Sequence, residues 1–189
     1  MRQKELFFGG VRVKEERSRL LSFYAGAGPD DRGRFLREIL QWSDDELERT
    51  HDYIQWLFPL TEPSGFHPGA PLLDAESIRE FQSRPELQSN LRISFIRMLV
   101  FLGFELHEDN PLRVTPSESF PERSQNWLTP SNHNHLRITR ILKSLRLLGL
   151  EEEAAAFFRC LEGLYGKESR APLPRISEET FNYWRSAAG

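Results

Sequence analysis

The side chains with the most chemical potential fall in two stretches of the chain. Residues 51–60 read HDYIQWLFPL and residues 136–150 read LRITRILKSLRLLGL. Placing residues 44–58 on one helix sets Leu47, Thr50, Ile54, Leu57 and Phe58 on an apolar arc with His51 at its edge. Asp44, Asp45, Glu48 and Asp52 then share the opposite arc with Gln55, while Arg49, Tyr53 and Trp56 lie between. Carboxylates beside a Tyr and a Trp can hold a cation or a terminal amine through ion pairing and cation–π contact. The plainer alternative is a solvated acidic face, with Tyr53 and Trp56 packed on a neighbouring helix. The candidate ligand site is therefore His51, Asp52, Tyr53, Gln55 and Trp56.

In the second stretch Ile138, Ile141, Leu142, Leu145 and Leu148 form the apolar arc. Arg137, Arg140, Lys143 and Arg146 step every three residues across the other side. Such a face either pairs with the acidic face of residues 44–52 or offers a surface to phosphate, nucleic acid or an acidic protein. His133 and His135 are two apart, a spacing that puts them on different sides of a helix, and no other histidine stands at ligand spacing to them. No metal or cofactor is expected. His51 is better read as a hydrogen-bonded histidine at the core edge than as a base, because no nucleophile is marked for it. An enzyme built on His51 or on His133 and His135 is kept as an alternative, with no catalytic residue assigned.

These residues need helices to position them. Ser43 and Glu46 form a capping box ahead of the first stretch, and Pro59 ends it. An earlier helix is expected to start near Asp31, after the Gly and Pro break of residues 25–31, with Phe35, Leu36, Ile39 and Leu40 on its apolar stripe. Asp74 caps a short helix from 75 to about 83, Pro85 starts the next, and Gly103 stops it. Residues 107–131, rich in Pro, Ser, Glu and Asn, are expected to form a long ordered loop. Ser131 and Asn132 cap the second stretch, which Gly149 ends. A helix from Glu151 to Tyr165 then ends at Gly166, and Ser177 caps a short last helix. No sustained alternation marks a strand. The fold class is all-α, a compact helical domain of about six to eight helices.

With 189 residues, of which 39% are hydrophobic, the chain can build one core without a staple. Its single cysteine, Cys160, reads as a small apolar side chain on a helix and suits a reducing compartment. The net charge of −3 argues against a protein that coats nucleic acid. Neither a secretory signal nor a membrane-spanning run is visible, so a cytoplasmic protein is expected.

Several stretches, taken in order, resemble the conserved region of the opioid growth factor receptor family. They are Leu21-Ser22-Phe23-Tyr24, Ile39-Leu40-Gln41-Trp42 with the acidic residues after it, HDYIQWLFPL, Asn126-Trp127 and LRITRILKSLRLLGLE. The resemblance covers roughly residues 20–155. It implies a domain at residues 20–165, an N-terminal extension at 1–19 and a C-terminal segment at 166–189. It also implies a non-enzymatic, receptor-like domain that takes a short peptide or protein segment. Animal members are described as binding Met-enkephalin, Tyr-Gly-Gly-Phe-Met, and as acting at the nucleus and nuclear membrane. This chain is expected to be a short, microbial type of member without their repeat-bearing C-terminal tail. A nucleic-acid or acidic-protein adaptor using residues 136–148 is the alternative.

Overall fold

The computed structural model describes residue 15 and residues 17–189. It is mostly helical, as the class requires, with one two-stranded sheet among the described residues. Two compact units follow one another, Met1–Leu91 and Arg92–Gly189, and the boundary falls inside a single helix.

In the first unit, α1 covers residues 17–24 and is followed by α2 (Leu36–Leu40), α3 (Asp44–Arg49), α4 (Ile54–Leu57) and α5 (Ala75–Ser83). The first helix after the Gly and Pro break thus begins at Leu36, later than the expected Asp31. The reason is local. The Asp30 carboxylate accepts from the amides of Arg32 and Arg34, closing a turn that Gly33 completes at φ +80°. The Ser43 capping box is present, with the Ser43 amide donating to Glu46 at 2.8 Å and the Glu46 amide donating to Ser43 Oγ at 3.3 Å. Asp74 caps α5 by accepting from the Ser77 amide at 2.7 Å.

The expected single helix of residues 44–58 is corrected to two. Thr50 ends α3 in an extended conformation, and α4 restarts at Ile54. Between them Asp52 is drawn to Arg34 and its carbonyl to His67, pulls that a continuous helix would not satisfy. After the break nearly every side chain turns inward: residues 53–60 are all buried. Around them pack Phe23, Tyr24, Leu47 and Phe81, none with measurable exposure. Tyr24 donates its hydroxyl to the Leu57 carbonyl and stacks edge-on against Phe81, 4.7 Å between centroids.

The long helix α6 (Pro85–Leu102) carries the unit boundary and starts and stops where Pro85 and Gly103 predict. Gly103 takes φ +87°, and a Cβ there would stand 2.9 Å from the Phe120 backbone, so both conformation and space require glycine.

In the second unit, residues 107–131 are ordered but are not one loop. They contain β2 (Arg113–Pro116), α7 (Phe120–Arg123) and a 3₁₀ turn (Ser124–Asn126). β2 pairs antiparallel with β1 (Phe104–His107), Leu106 facing Val114. Four-residue strands are too short for their alternation to show in sequence, which is why the hairpin escaped the periodicity argument. Helices α8 (His133–Leu147), α9 (Glu151–Glu168) and α10 (Glu178–Ala188) pack on one another, and β2 lies against α9. Asn132 caps α8, Gly149 ends it at φ +91°, and Ser177 caps α10. α9 continues past the expected stop, to Glu168, because Gly166 keeps helical backbone instead of the left-handed conformation that ends α6 and α8 at Gly103 and Gly149.

Candidate functional site

Around Asp52 the first unit gathers charges that lie far apart in sequence. Asp52 accepts from Arg34 Nη1 at 2.8 Å and pairs with Arg32 Nε at 3.2 Å. Arg34 also donates its Nε to Asp30 at 2.7 Å, where the Asp30 side chain has no exposure, and its guanidinium lies 5.4 Å over the Trp42 ring. Burial pushes the Asp52 carboxyl up, but the hydrogen bond and charge of Arg34, with Arg32 behind it, outweigh this and hold it below the usual aspartate value. Burial likewise works against the Arg34 cation, and Asp52 and Asp30 together raise its pKa.

Asp31 stands next to this pair. It accepts from the Trp56 indole at 3.0 Å and meets His67 Nε2 at 2.8 Å, while His67 Nδ1 meets the Asp52 carbonyl at 3.2 Å. Trp56 is 1% exposed, packs edge-on against Phe23 and lies under the Arg19 guanidinium at 5.5 Å. Tyr53 is buried against Trp42, and Gln55 is buried with its Nε2 donating to Ser64 at 3.3 Å. His51 is exposed at the helix break. Of the five candidate residues, Asp52 and Trp56 therefore join one polar network with Asp30, Asp31, Arg34 and His67. Tyr53 and Gln55 belong to the core beneath it.

The second unit has its own buried polar centre. His135 is 4% exposed between Trp127 and Trp184, ring centroids 6.3 and 5.6 Å away and both edge-on. Trp127 donates its indole N–H to Leu102 O at 2.9 Å, and Trp184 donates to His135 O at 3.0 Å. The His135 ring bonds to the Trp127 backbone, and its Nε2 is buried with no hydrogen-bond partner among the described residues. Burial pushes the pKa of His135 below the usual histidine value of 6.5, against the pull of the Trp127 bond. His133, two residues back, is exposed, so the pair does not converge. No group of three or more His, Cys, Asp and Glu able to hold a metal exists among the described residues. Cys160 is half-buried on α9, and burial pushes its thiol up to about 11.

The cations of α8 do not form one open row. Arg137 is 5% exposed and donates to Asn134 Oδ1 at 3.0 Å; Arg140 and Lys143 are half-buried. Arg146 is exposed and reaches the last carbonyls of α10, Ser186 at 3.4 Å and Ala187 at 3.5 Å, where a cation suits the helix dipole.

Residues 6–188 match the family model described as the opioid growth factor receptor conserved region. The chain belongs to the opioid growth factor receptor family. It is 40% identical over 158 residues to the opioid growth factor receptor of Homo sapiens, an alignment covering 82% of this chain and 23% of that protein. It is 43% identical over 155 residues to the Mus musculus receptor, covering 80% and 24%. With opioid growth factor receptor-like protein 1 of Mus musculus it shares 34% over 181 residues, 94% of this chain and 38% of the relative. The chain thus spans well under half the length of these relatives. No solved structure matches it. No described helix is long and apolar enough to cross a membrane.

Within this family member, sequence reasoning missed Asp30, Asp31, Arg34 and His67 as parts of the network around Asp52. The signal that was available is the dense charge of Asp30-Asp31-Arg32-Gly33-Arg34, which a helix-capping interpretation used up too early.

The buried His135 has a measurable consequence. Its folded pKa lies below its unfolded one, so below about pH 6.5 the unfolded chain takes up a proton that the folded chain refuses. Stability is then complete above that pH and falls as the pH drops towards the folded value. Urea midpoints between about pH 7 and about pH 5 should fall for the wild type and flatten for His135→Gln. Parallel curves for the two proteins would contradict this.

Proposed function

We propose that this chain is a non-enzymatic, receptor-like domain that binds a short peptide or protein segment. Membership of a family whose human and mouse relatives are named opioid growth factor receptor carries the proposal. The network around Asp52 supports it chemically. Of the two arginines on that carboxylate, Arg34 is largely buried and fixed by Asp30, whereas the Arg32 side chain is 64% exposed. A ligand's terminal amine can replace Arg32 on Asp52 Oδ2 while Arg34 keeps the carboxylate in place, close to the Trp56 and Asp31 contact. The same proposal places the domain in the cytoplasm, with the nuclear location implied by the family as the alternative that cell fractionation separates.

The test is calorimetry with Tyr-Gly-Gly-Phe-Met and its N-acetylated form. Saturable binding is expected, lost on acetylation and weakened about tenfold or more by Asp52→Asn, the scale of a charge-assisted hydrogen bond. Binding indifferent to both changes would remove the amine from the recognition. Absence of heat with either peptide would remove this ligand class.

A further inference from the structure

Residues 60–73 form a turn-rich loop whose ends are joined by the Leu73 amide, which donates to the Leu60 carbonyl at 2.9 Å. A loop closed in this way is held in place by the side chains that reach out of it. Ser64 is one, accepting from Gln55 Nε2 at 3.3 Å. His67 is the other, and its side chain is only 12% exposed. Its Nδ1 stands 3.2 Å from the Asp52 carbonyl oxygen and its Nε2 2.8 Å from Asp31 Oδ2. The Ala70 amide donates back to the His67 carbonyl at 3.1 Å, which ties the following turn to the same point.

Both partners of the ring are acceptors. A backbone carbonyl and an ionised carboxylate have no proton to give, so each contact needs an N–H on the imidazole. The neutral ring carries one N–H and would set a bare lone pair against the other oxygen; the imidazolium, with two, satisfies both. The surrounding charges agree. Arg34 serves Asp30 and Asp52, and Arg32 takes the second oxygen of Asp52. Asp31 has no arginine among the described residues: its Oδ1 accepts from the Trp56 indole and its Oδ2 meets His67. Of the other charged groups nearby, His51 is exposed at the helix break, Glu62 accepts from the Thr61 hydroxyl and Arg19 stands over the Trp56 ring. His67 is thus the cation that Asp31 has.

We propose that His67 is a pH-sensitive strap: with two ring protons it ties the loop of residues 60–73 to both Asp31 and the Asp52 carbonyl, and on losing one it lets go of one of these holds. The donors fix the direction. The strap is closed on the acid side of the His67 titration and opens as the pH rises through it, returning one acceptor beside the Asp52 network to solvent. No ligand enters this inference, so it stands or falls apart from the peptide binding proposed for Asp52.

The experiment is a nuclear magnetic resonance titration of the whole chain, with the pH raised until the His67 ring has lost its second proton. Ring nitrogen shifts count the protons on His67, and amide exchange, corrected for its intrinsic pH dependence, reports the loop. The Ala70 amide should be protected while both ring nitrogens are protonated. In the step in which the ring loses a proton, that protection should fall about tenfold or more, the scale of one charge-assisted hydrogen bond. The Leu47 amide, which donates to the Ser43 carbonyl at 3.1 Å in α3, should keep its protection through the step and so certify the fold. His67→Gln, which cannot titrate, should show no step at Ala70. A bare ring nitrogen while Ala70 is protected, protection unchanged across the step, or the same step in His67→Gln would each overturn the proposal.

Discussion

Replacing Arg34 with leucine is expected to lower the free energy of unfolding by about 3–5 kcal/mol, the usual penalty for stranding a buried charge. Arg34 is the cation for two carboxylates, and the Asp30 side chain it leaves behind has no exposure. Asp30 would retain the amides of Arg32 and residue 34 but lose its counter-charge. Urea unfolding measures the loss. Adding Asp30→Asn should recover part of it, because the neutral amide still accepts from the turn without needing a cation. A loss below about 1 kcal/mol, the range of exposed ion pairs, would show that the network is only surface decoration. Asp52 sets the acid side of the same effect. Its folded pKa is depressed, so its stabilisation is present above the ordinary value of 3.8 and is lost as pH falls through the folded value.

Trp184→Ala should be of similar size, about 3–5 kcal/mol, through the cavity left in the second unit. The indole has no measurable exposure, lies edge-on to His135 and donates to its carbonyl at 3.0 Å. Removing it withdraws an anchor of α10 from α8 and leaves the His135 carbonyl to the Thr139 hydroxyl, 3.0 Å away, among side-chain donors. Trp184→Phe keeps most of the volume and should cost clearly less. If both variants unfold at the wild-type midpoint, α10 adds nothing to the unit's stability, contrary to its packing.

Helix ends were the most legible part of this chain, because a cap is local chemistry. Ser43 with Glu46, Asp74, Pro85, Asn132, Gly149 and Ser177 all sit where their side chains or backbone freedom place them. The break between α3 and α4 was not legible, since what bends residues 50–53 comes from Arg34 and His67, 18 and 15 residues away from Asp52. The hairpin of β1 and β2 failed for a different reason, having only four residues per strand over which to alternate. For the candidate site, residue types were readable and partners were not. Asp52 and Trp56 look equivalent to Tyr53 and Gln55 in sequence. Only the fold shows that the first two meet Arg34 and Asp31 while the others line the interior. The four cations of α8 taught the same lesson, because helical spacing describes direction and says nothing of what stands opposite.

The shielding of Cys160 has a practical side. With its thiol raised to about 11, only on the order of one molecule in ten thousand carries the reactive thiolate at neutral pH. Maleimide reagents are therefore expected to modify Cys160 more slowly than an introduced, solvent-facing cysteine. A brief labelling pulse at an introduced cysteine at position 170, exposed just past the end of α9, should then place a reporter dye there ahead of Cys160.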